Sequence, residues 1–401
     1  MTNIYAALEI GTTRTVLAVG EAKTGERLRV TCHAEIPSTG VRKSQILDIS
    51  QATQSIRSVL RAVEKKQSET TGDSLTIGNA FLVVSGQHVK ADPYQGTAQV
   101  EGAKVGTNDI NEAIRSSRLM ALPRDRELLD IVEQAYGLDD LGGIASPKGM
   151  SGRVLKLDTL QIHADKNRID NARTAAGEAH LEIRDPLFAA TCAAEVVLRP
   201  GDKRNGALVL DLGGGSTGWA VYADGYLVTA NAIGVGGDHV TNDIAYAFQT
   251  TQAQAEALKR EEACAVVGGD KSAGPRANLP GSSPLMEART ISRRALDTVV
   301  NLRCKEIFTI IRNDLEDRDL LHRLNAGVFL TGGGAALKGI DSLARRELGM
   351  PVRIGTPTEV DGLETETHSE SFAAIAGALL YAHRNYEEKS FIKSLLGGFF
   401  K

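Results

Sequence analysis

The fold expected of this 401-residue chain is α/β, two-lobed and internally duplicated. An early segment, Leu8-Glu9-Ile10-Gly11-Thr12-Thr13-Arg14-Thr15-Val16-Leu17-Ala18-Val19, lies without a gap over Leu210-Asp211-Leu212-Gly213-Gly214-Gly215-Ser216-Thr217-Gly218-Trp219-Ala220-Val221, half a chain further on. In each copy an apolar strand delivers an acid, a glycine-hydroxyl turn follows, and an apolar strand leaves, which is the pattern of a hairpin. Glycine placement is the second observation. The chain has 41 glycines, and the excess clusters at Gly11, Gly213 to Gly215, Gly234 to Gly237 and Gly332 to Gly334, mostly just past strand-like runs, where a tight turn or a close backbone approach needs them. Size is the third, since about 150 residues per domain gives a prior of two to three domains.

Hydrophobic residues make up 42% and charged residues 24%, an ordinary globular balance that argues against wholesale disorder and against a polytopic membrane protein. With 46 basic and 50 acidic residues the net charge of -4 gives no global basic field, so nucleic acid is not an expected partner. An anionic surface would have to be met by a local patch. Cys32, Cys192, Cys264 and Cys304 lie far apart with no CxxC pair, which argues against a zinc or redox motif and for a reducing cytoplasm. The opening MTNIYAALEIG has no basic region before its apolar run and reads as no secretory signal. No stretch approaches the roughly 18 apolar residues that span a bilayer.

Along the chain, residues 4 to 36 read as strands with a turn at Lys23-Thr24-Gly25-Glu26, and 49 to 68 as a helix with Ile49, Ile56, Val59, Leu60 and Val63 on one face. Residues 166 to 198 read as helix, strand and a second, Ala-rich helix. Gly268 to Ser283, rich in Gly, Pro and Ser, reads as a loop of low core value. A helix is expected over 286 to 316, where Leu296, Val299, Val300, Ile307, Ile310 and Ile311 recur at helical spacing, and an Ala-rich helix over 371 to 386 closes the fold. The third glycine cluster follows a buried strand, Val328-Phe329-Leu330-Thr331. It precedes a helix start that can meet a phosphate or let a nucleoside lie on bare backbone. It is not a P-loop, because Lys338 is followed by neither Ser nor Thr and the spacing differs, and it is not a GxGxxG turn.

The tips of the two hairpins expose backbone N–H groups and hydroxyls, the equipment for holding phosphate without a P-loop lysine, and the acid before each tip can orient a metal-bound water. Two such hairpins and an adenosine-type turn, in this order and at this separation, resemble the actin, sugar kinase and chaperone ATPase superfamily. Within it the chain resembles the FtsA family of bacterial cell-division proteins. The likeness covers nearly the whole chain. It rests on Gly149-Met150-Ser151-Gly152-Arg153-Val154 after Ala135-Tyr136, on Val240-Thr241-Asn242-Asp243-Ile244-Ala245-Tyr246-Ala247-Phe248, and on Ala255-Glu256-Ala257-Leu258-Lys259.

The resemblance implies an actin-like fold: a duplicated, ribonuclease-H-like, two-lobed ATPase with an inserted subdomain 1C that replaces the 1B of actin at another point in the chain. The expected subdomains are 1A at 1–84, 166–203 and 372–386, 1C at 85–165, 2A at 204–245 and 306–371, and 2B at 246–305. The expected ligands are ATP and Mg2+. Gly11, Thr12, Thr13 and Arg14, with Gly213, Gly214, Gly215, Ser216 and Thr217, would hold the phosphates, and Glu9 and Asp211 the metal. Gly236 and Gly237 would approach the sugar, and Gly332, Gly333, Gly334 and Leu337 the nucleoside. Glu256 and Lys259, at i and i+3, would accept from the ribose hydroxyls and border the adenine, although the same spacing serves a solvated ion pair. Asp185, before Pro186, is the candidate for orienting the attacking water, with a plain helix N-cap as the alternative. Glu9 stands where the superfamily usually has Asp, and Gly218 where Asp is common. Slow hydrolysis is therefore expected, with ATP acting as a conformational clamp.

Residues 387–401 carry a second signal. At about 100° per residue, Phe391, Ile392, Leu395, Leu396, Phe399 and Phe400 fall in one half of a helical wheel, and Lys393, Ser394, Gly397, Gly398 and Lys401 in the other. With Lys389 and no acid after Glu388, this reads as a helix lying in the plane of an anionic membrane, and the two glycines would be poor choices in a packed core helix. The resemblance implies an adaptor that forms actin-like filaments and ties FtsZ, the tubulin-like protein of the division ring, to the cytoplasmic face of the membrane at the septum. It would recruit later division proteins through subdomain 1C. The acidic C-terminal peptide of FtsZ would dock on subdomain 2B at Arg293, Arg294 and Arg303, where Leu302 departs from the proline often found. The bland reading of these arginines is solvated charge. Another actin-fold role remains open, as a kinase, a chaperone-type ATPase or a pilus-assembly adaptor. Against it, no C-terminal substrate domain is evident and the tail suits none of these.

Overall fold

The computed structural model describes residues 2–23, 25–72, 76–119, 122–270, 274–279, 281 and 288–397, with the side chains of 70, 71 and 386–397 outside the description. The first lobe opens with the hairpin of β1 (Thr2–Ile10) and β2 (Arg14–Lys23), extended by β3 (Arg29–Pro37). A short hairpin of β4 (Val41–Arg42) and β5 (Gln45–Ile46) leads into α1 (Ile49–Thr71). Asp48 caps α1 by accepting from the Gln51 N–H, and Gly72 ends it in the left-handed region at φ 76°. Next, β6 (Asn79–Val84) lies parallel to β1.

The chain then leaves the lobe for β7 (Lys90–Gln99), α2 (Thr107–Ser117), β8 (Arg126–Leu138), β9 (Leu141–Ile144) and β10 (Val154–Asp165). This insert buries a small core of its own, Ala98, Val105, Ala113, Leu138, Leu155 and Leu157. It returns through α3 (Lys166–Glu178), β11 (Glu182–Phe188), the Ala-rich α4 (Ala189–Val197) and α5 (Pro200–Asn205). The second lobe comprises β12 (Ala207–Leu212), β13 (Thr217–Ala223), β14 (Tyr226–Ile233), α6 (Gly237–Ala247), α7 (Gln252–Glu261), β15 (Arg276–Leu279), β16 (Arg289–Ser292), α8 (Arg293–Asp317), β17 (Gly327–Thr331), α9 (Ile340–Leu348) and β18 (Val352–Ile354). The last element, α10 (Ala373–Gly397), packs back on α4 in the first lobe.

The duplication read from the sequence is a duplication of topology. Strand order is β11-β6-β1-β2-β3 in one sheet and begins β18-β17-β12-β13-β14 in the other, so each central strand lies between its antiparallel hairpin partner and a parallel neighbour. The registers match as well: Ile10 faces Thr15 and Glu9 faces Val16 in one hairpin, while Leu212 faces Thr217 and Asp211 faces Gly218 in the other. The insert continues the second sheet beyond β14 through the single pair Asn231 with Lys90. Leu8, Leu17 and Leu82 anchor the first core, and Leu210, Trp219, Leu296 and Phe308 the second.

Four details differ from expectation. Within the 268–283 loop, residues 276–279 form β15, whose alternation buries Ala277 and Leu279, so part of this stretch is core; residues 271–273, 280, 282 and 283 lie outside the described residues. The 286–316 helix begins at Arg293, because Arg289–Ser292 pairs with β15 and Ser292 caps the helix by accepting from the Ala295 N–H at 3.3 Å; residues 286 and 287 also lie outside. The third glycine turn enters a 3-10 turn at Gly333–Ala336, and the α-helix starts only at Ile340. The closing helix starts at Ala373 and its backbone runs on to Gly397, past residue 386. Of the expected membrane-facing residues, Phe391, Ile392, Leu395 and Leu396 have side chains outside the description, and Phe399 and Phe400 lie outside the described residues altogether. Among the described residues no helix is long and apolar enough to cross a membrane.

Candidate functional site

The two glycine hairpins are built alike and meet tip to tip. In the first, the Gly11 N–H donates to Arg14 O at 3.0 Å, and in the second the Gly213 N–H donates to Ser216 O at 3.0 Å. A Cβ on Gly11 would lie 2.7 Å from Arg14 O and one on Gly213 2.9 Å from Ser216 O, so both turns close too tightly for a side chain there. At the tips, the N–H groups of Thr12, Thr13, Gly214 and Gly215 have no protein acceptor among the described residues. The tips touch, since a Cβ on Gly214 would lie 2.1 Å from Thr13 Oγ1 and one on Gly215 2.3 Å from Thr12 Oγ1.

Below the tips stand the two acids. Burial raises the Glu9 carboxyl, against the lowering effect of Arg14, and burial followed by the like charge of Glu9 pushes Asp211 up to about 7. Two carboxylates repelling each other in a desolvated place are suited to share a cation. No group of three or more metal-ligating side chains occurs among the described residues, and a two-carboxylate donor set suits Mg2+, which keeps waters and phosphate oxygens as its other ligands. Free N–H donors above an acid pair therefore fit a magnesium nucleotide. The Arg14 guanidinium turns aside: it pairs with Glu35, donates to Ser371 O at 2.5 Å and lies over the Phe372 ring.

The side of the cleft expected to face a nucleoside is assembled from α6, α7 and the third glycine turn. Gly237 N–H donates to Gly213 O at 2.9 Å and Asp238 N–H to Gly214 O at 2.8 Å, which docks the start of α6 on the second hairpin. Gly236 permits that approach, because a Cβ there would lie 2.5 Å from Gly213 O and 2.6 Å from Gly214 O. Lys259 Nζ donates to Glu256 Oε2 at 2.6 Å, to Thr241 Oγ1 at 2.9 Å and to Gly237 O at 3.2 Å. The pair at i and i+3 is thus a part-buried network tied to the start of α6. Gly332 sits in the left-handed region at φ 79°, and a Cβ there would lie 2.5 Å from Asp211 Oδ1 and 2.7 Å from Leu212 O. Gly334 packs on Leu212, whereas a Cβ on Gly333 would meet nothing within 4 Å. Leu337 closes the 3-10 turn through its N–H to Gly334 O at 3.2 Å.

Other expected residues stand apart. Asp185 is exposed on the edge strand β11, and its charge is felt by Tyr381 of α10. It is not a helix cap either, because Phe188 holds that position before α4. On α8, Arg293 is mostly buried against Glu262, and Arg303 clamps Asp243 of α6 at 2.7 and 3.0 Å. Arg294 is exposed. Tyr246, three residues after Asp243 on α6, is 89% exposed, and Leu302, next to Arg303 on α8, is 63% exposed.

Sequence reasoning passed over Thr241, Asp238, Lys43 and Ser44. Ser44 N–H donates to Thr12 Oγ1 at 2.8 Å, and its hydroxyl lies 3.0 Å from Ser216 Oγ, so the β4–β5 tip touches both hairpins. A cavity of about 380 Å³ opens between that tip and α6, lined by Arg42, Lys43, Asp238, His239, Thr241, Asn242 and Gln252. Burial, then the charges of Lys43 and Arg303, lower the basicity of His239 on its far wall.

A family model described as cell division protein FtsA matches residues 208–377, and one described as the SHS2 domain inserted in FtsA matches residues 86–163. The cell division protein FtsA of Pseudomonas aeruginosa is 31% identical over 380 residues, covering 94% of this chain and 89% of its own length. Among solved structures, the PilM-PilN type IV pilus biogenesis complex aligns with a TM-score of 0.65 at 18% identity over 94% of this chain and 98% of that one. MreB5 of Spiroplasma citri bound to ADP aligns with a TM-score of 0.57 at 14% identity over 98% of both. At these identities the structural likeness establishes an actin-like, two-lobed fold.

Proposed function

The chain belongs to the FtsA family of cell division proteins, and we propose that it works there as an ATP-binding adaptor that polymerises and holds the FtsZ ring against the membrane. The observation that carries the nucleotide half of this reading is the pair of matched hairpins, tip to tip, whose tip N–H groups have no protein acceptor among the described residues, with the buried acids Glu9 and Asp211 at their bases. The N–H groups of Thr12, Thr13, Gly214 and Gly215 would hold the phosphates, and Glu9 and Asp211 would hold Mg2+. The Glu256–Lys259–Thr241 network and the bare face at Gly333 would hold the nucleoside. A bound magnesium triphosphate supplies negative charge and acceptors that both lobes share, so it favours the closed cleft over the open one. Hydrolysis is slow in this reading, because Glu9 stands where the superfamily usually has the shorter Asp, and Asp185 remains the candidate for orienting the attacking water.

The structural likeness to an ADP-bound actin-like protein supports the nucleotide reading. For the adaptor half, the exposed Tyr246 of α6 and Leu302 of α8 would offer an amphipathic FtsZ tail apolar surface, with Arg303 next to Leu302 and the exposed Arg294 about two turns earlier on the same helix. The 86–163 insert would recruit later division proteins. Residues 387–401 would bind anionic lipid on the cytoplasmic face at the septum, weakly as one tail and strongly as many in a filament. Equilibrium titration with MgATP tests the core of the reading. Saturable binding is expected in the wild type and its loss in Gly215→Val, whose side chain would collide with Thr12 and with the backbone of Lys43 and Ser44. Equal affinity in the two proteins would remove the hairpins from the site.

A further inference from the structure

We propose that Lys43, at the tip of the β4–β5 hairpin, recognises the terminal phosphate of a nucleoside triphosphate and draws the lobes shut, taking the place of the missing P-loop lysine. The inference rests on the nucleotide reading above and concerns how that site distinguishes a triphosphate from a diphosphate. Its first support is position. Arg42 pairs with Gln45, which leaves Lys43 and Ser44 as the whole turn. The turn belongs to the first lobe yet lies on the hairpin of the second, where a Cβ on Gly215 would fall 2.9 Å from Lys43 Cα and 3.0 Å from Ser44 N. The hydrogen bonds of Ser44 to Thr12 and Ser216 fix the tip across the seam, so a load on Lys43 is felt by both lobes.

Backbone conformation is the second support. Lys43 at φ 50° and Ser44 at φ 56° both occupy the left-handed region, which a two-residue hairpin turn demands and which Asn and Gly fill at least cost. A lysine kept in such a place, where the surroundings over-determine the backbone, is the kind of strained residue that marks a working site. Charge is the third. Arg14, the cation of the first hairpin, is occupied by Glu35 and Ser371 O, whereas Lys43 and Arg42 make no ion pair among the described residues. Both line the cavity of about 380 Å³ between the β4–β5 tip and α6. The one acid on that lining, Asp238, is engaged at the start of α6 and accepts from Thr13 Oγ1 at 3.4 Å. The lining is therefore electropositive on its first-lobe side, where an added anionic phosphate would meet a free ammonium.

Lys43→Gly provides the test, because it removes the ammonium while relieving the left-handed backbone and so preserves the fold. Binding of AMP-PNP and of ADP, each with Mg2+, is measured by calorimetry on the full chain. A charge lost beside a phosphate should weaken AMP-PNP by about tenfold or more and leave ADP within about twofold, and Lys43→Arg should restore most of the preference. Equal weakening of both nucleotides, or no change in either while the wild type binds both, would overturn the role of Lys43 and leave the nucleotide site standing. If the wild type binds neither nucleotide, the site assignment falls and this role with it.

Discussion

Valine at Gly333 separates the nucleotide site from the stability of the fold. The three glycines of the turn are unequal. A Cβ on Gly332 would lie 2.5 Å from Asp211 Oδ1 and one on Gly334 2.8 Å from Leu212 Cβ, but one on Gly333 would meet nothing within 4 Å. Gly334→Ala must therefore push the turn off β12, an overpacking cost of about 1 to 3 kcal/mol. In Gly333→Val the side chain enters open space, so nucleotide-free stability should change by less than about 0.5 kcal/mol. The proposed nucleoside position is that same open space, and an isopropyl group there should cost at least about 1.4 kcal/mol of binding, or tenfold in affinity. Urea unfolding without nucleotide reads the first quantity and MgATP titration the second. A Gly333→Val protein with wild-type affinity would take the third turn out of the site. A loss of stability matching that of Gly334→Ala would contradict the packing itself.

Further outcomes follow from other contacts. A Cβ on Gly377 would lie 1.8 Å from the Cys192 carbonyl oxygen, so Gly377→Ala should separate α10 from α4 and destabilise the protein by about 2 kcal/mol despite the better helix propensity of alanine, as read by urea unfolding. Arg294→Glu should weaken binding of an acidic FtsZ tail peptide several-fold in a fluorescence titration without affecting stability. Arg303→Glu should also lower the melting temperature, because it puts a carboxylate beside Asp243 and Glu306. Phe399→Glu should abolish pelleting with anionic vesicles, and Ser394→Glu, on the polar half of the wheel, should weaken it only modestly.

The duplicated hairpin was legible because its chemistry is local. Each acid, glycine and hydroxyl does its work within a few residues, so the alignment of Glu9 with Asp211 and of Gly11 with Gly213 carries straight into register and hydrogen bonding. The contact of Lys43 and Ser44 with the second hairpin could not be read the same way, since it is made between lobes and nothing in Val41-Arg42-Lys43-Ser44 announces it. Charge misled where burial decides: Arg293 reads as a surface cation, yet it is mostly buried and bonds Glu262. Composition hid β15, where the apolar alternation of Ala277 and Leu279 lies inside a Gly- and Pro-rich stretch. Asp185 followed from its place before Pro186, but the bulge in the pairing of β11 with β6 and the exposure of that edge were matters of tertiary structure.

The adaptor reading is tested most directly by sedimenting FtsZ filaments with anionic vesicles in the presence of this protein and MgATP. FtsZ should pellet with the lipid when both the C-terminal peptide of FtsZ and residues 387–401 of this chain are intact, and should stay in the supernatant when either is removed. Equal recovery of FtsZ on vesicles with and without residues 387–401 would contradict the account.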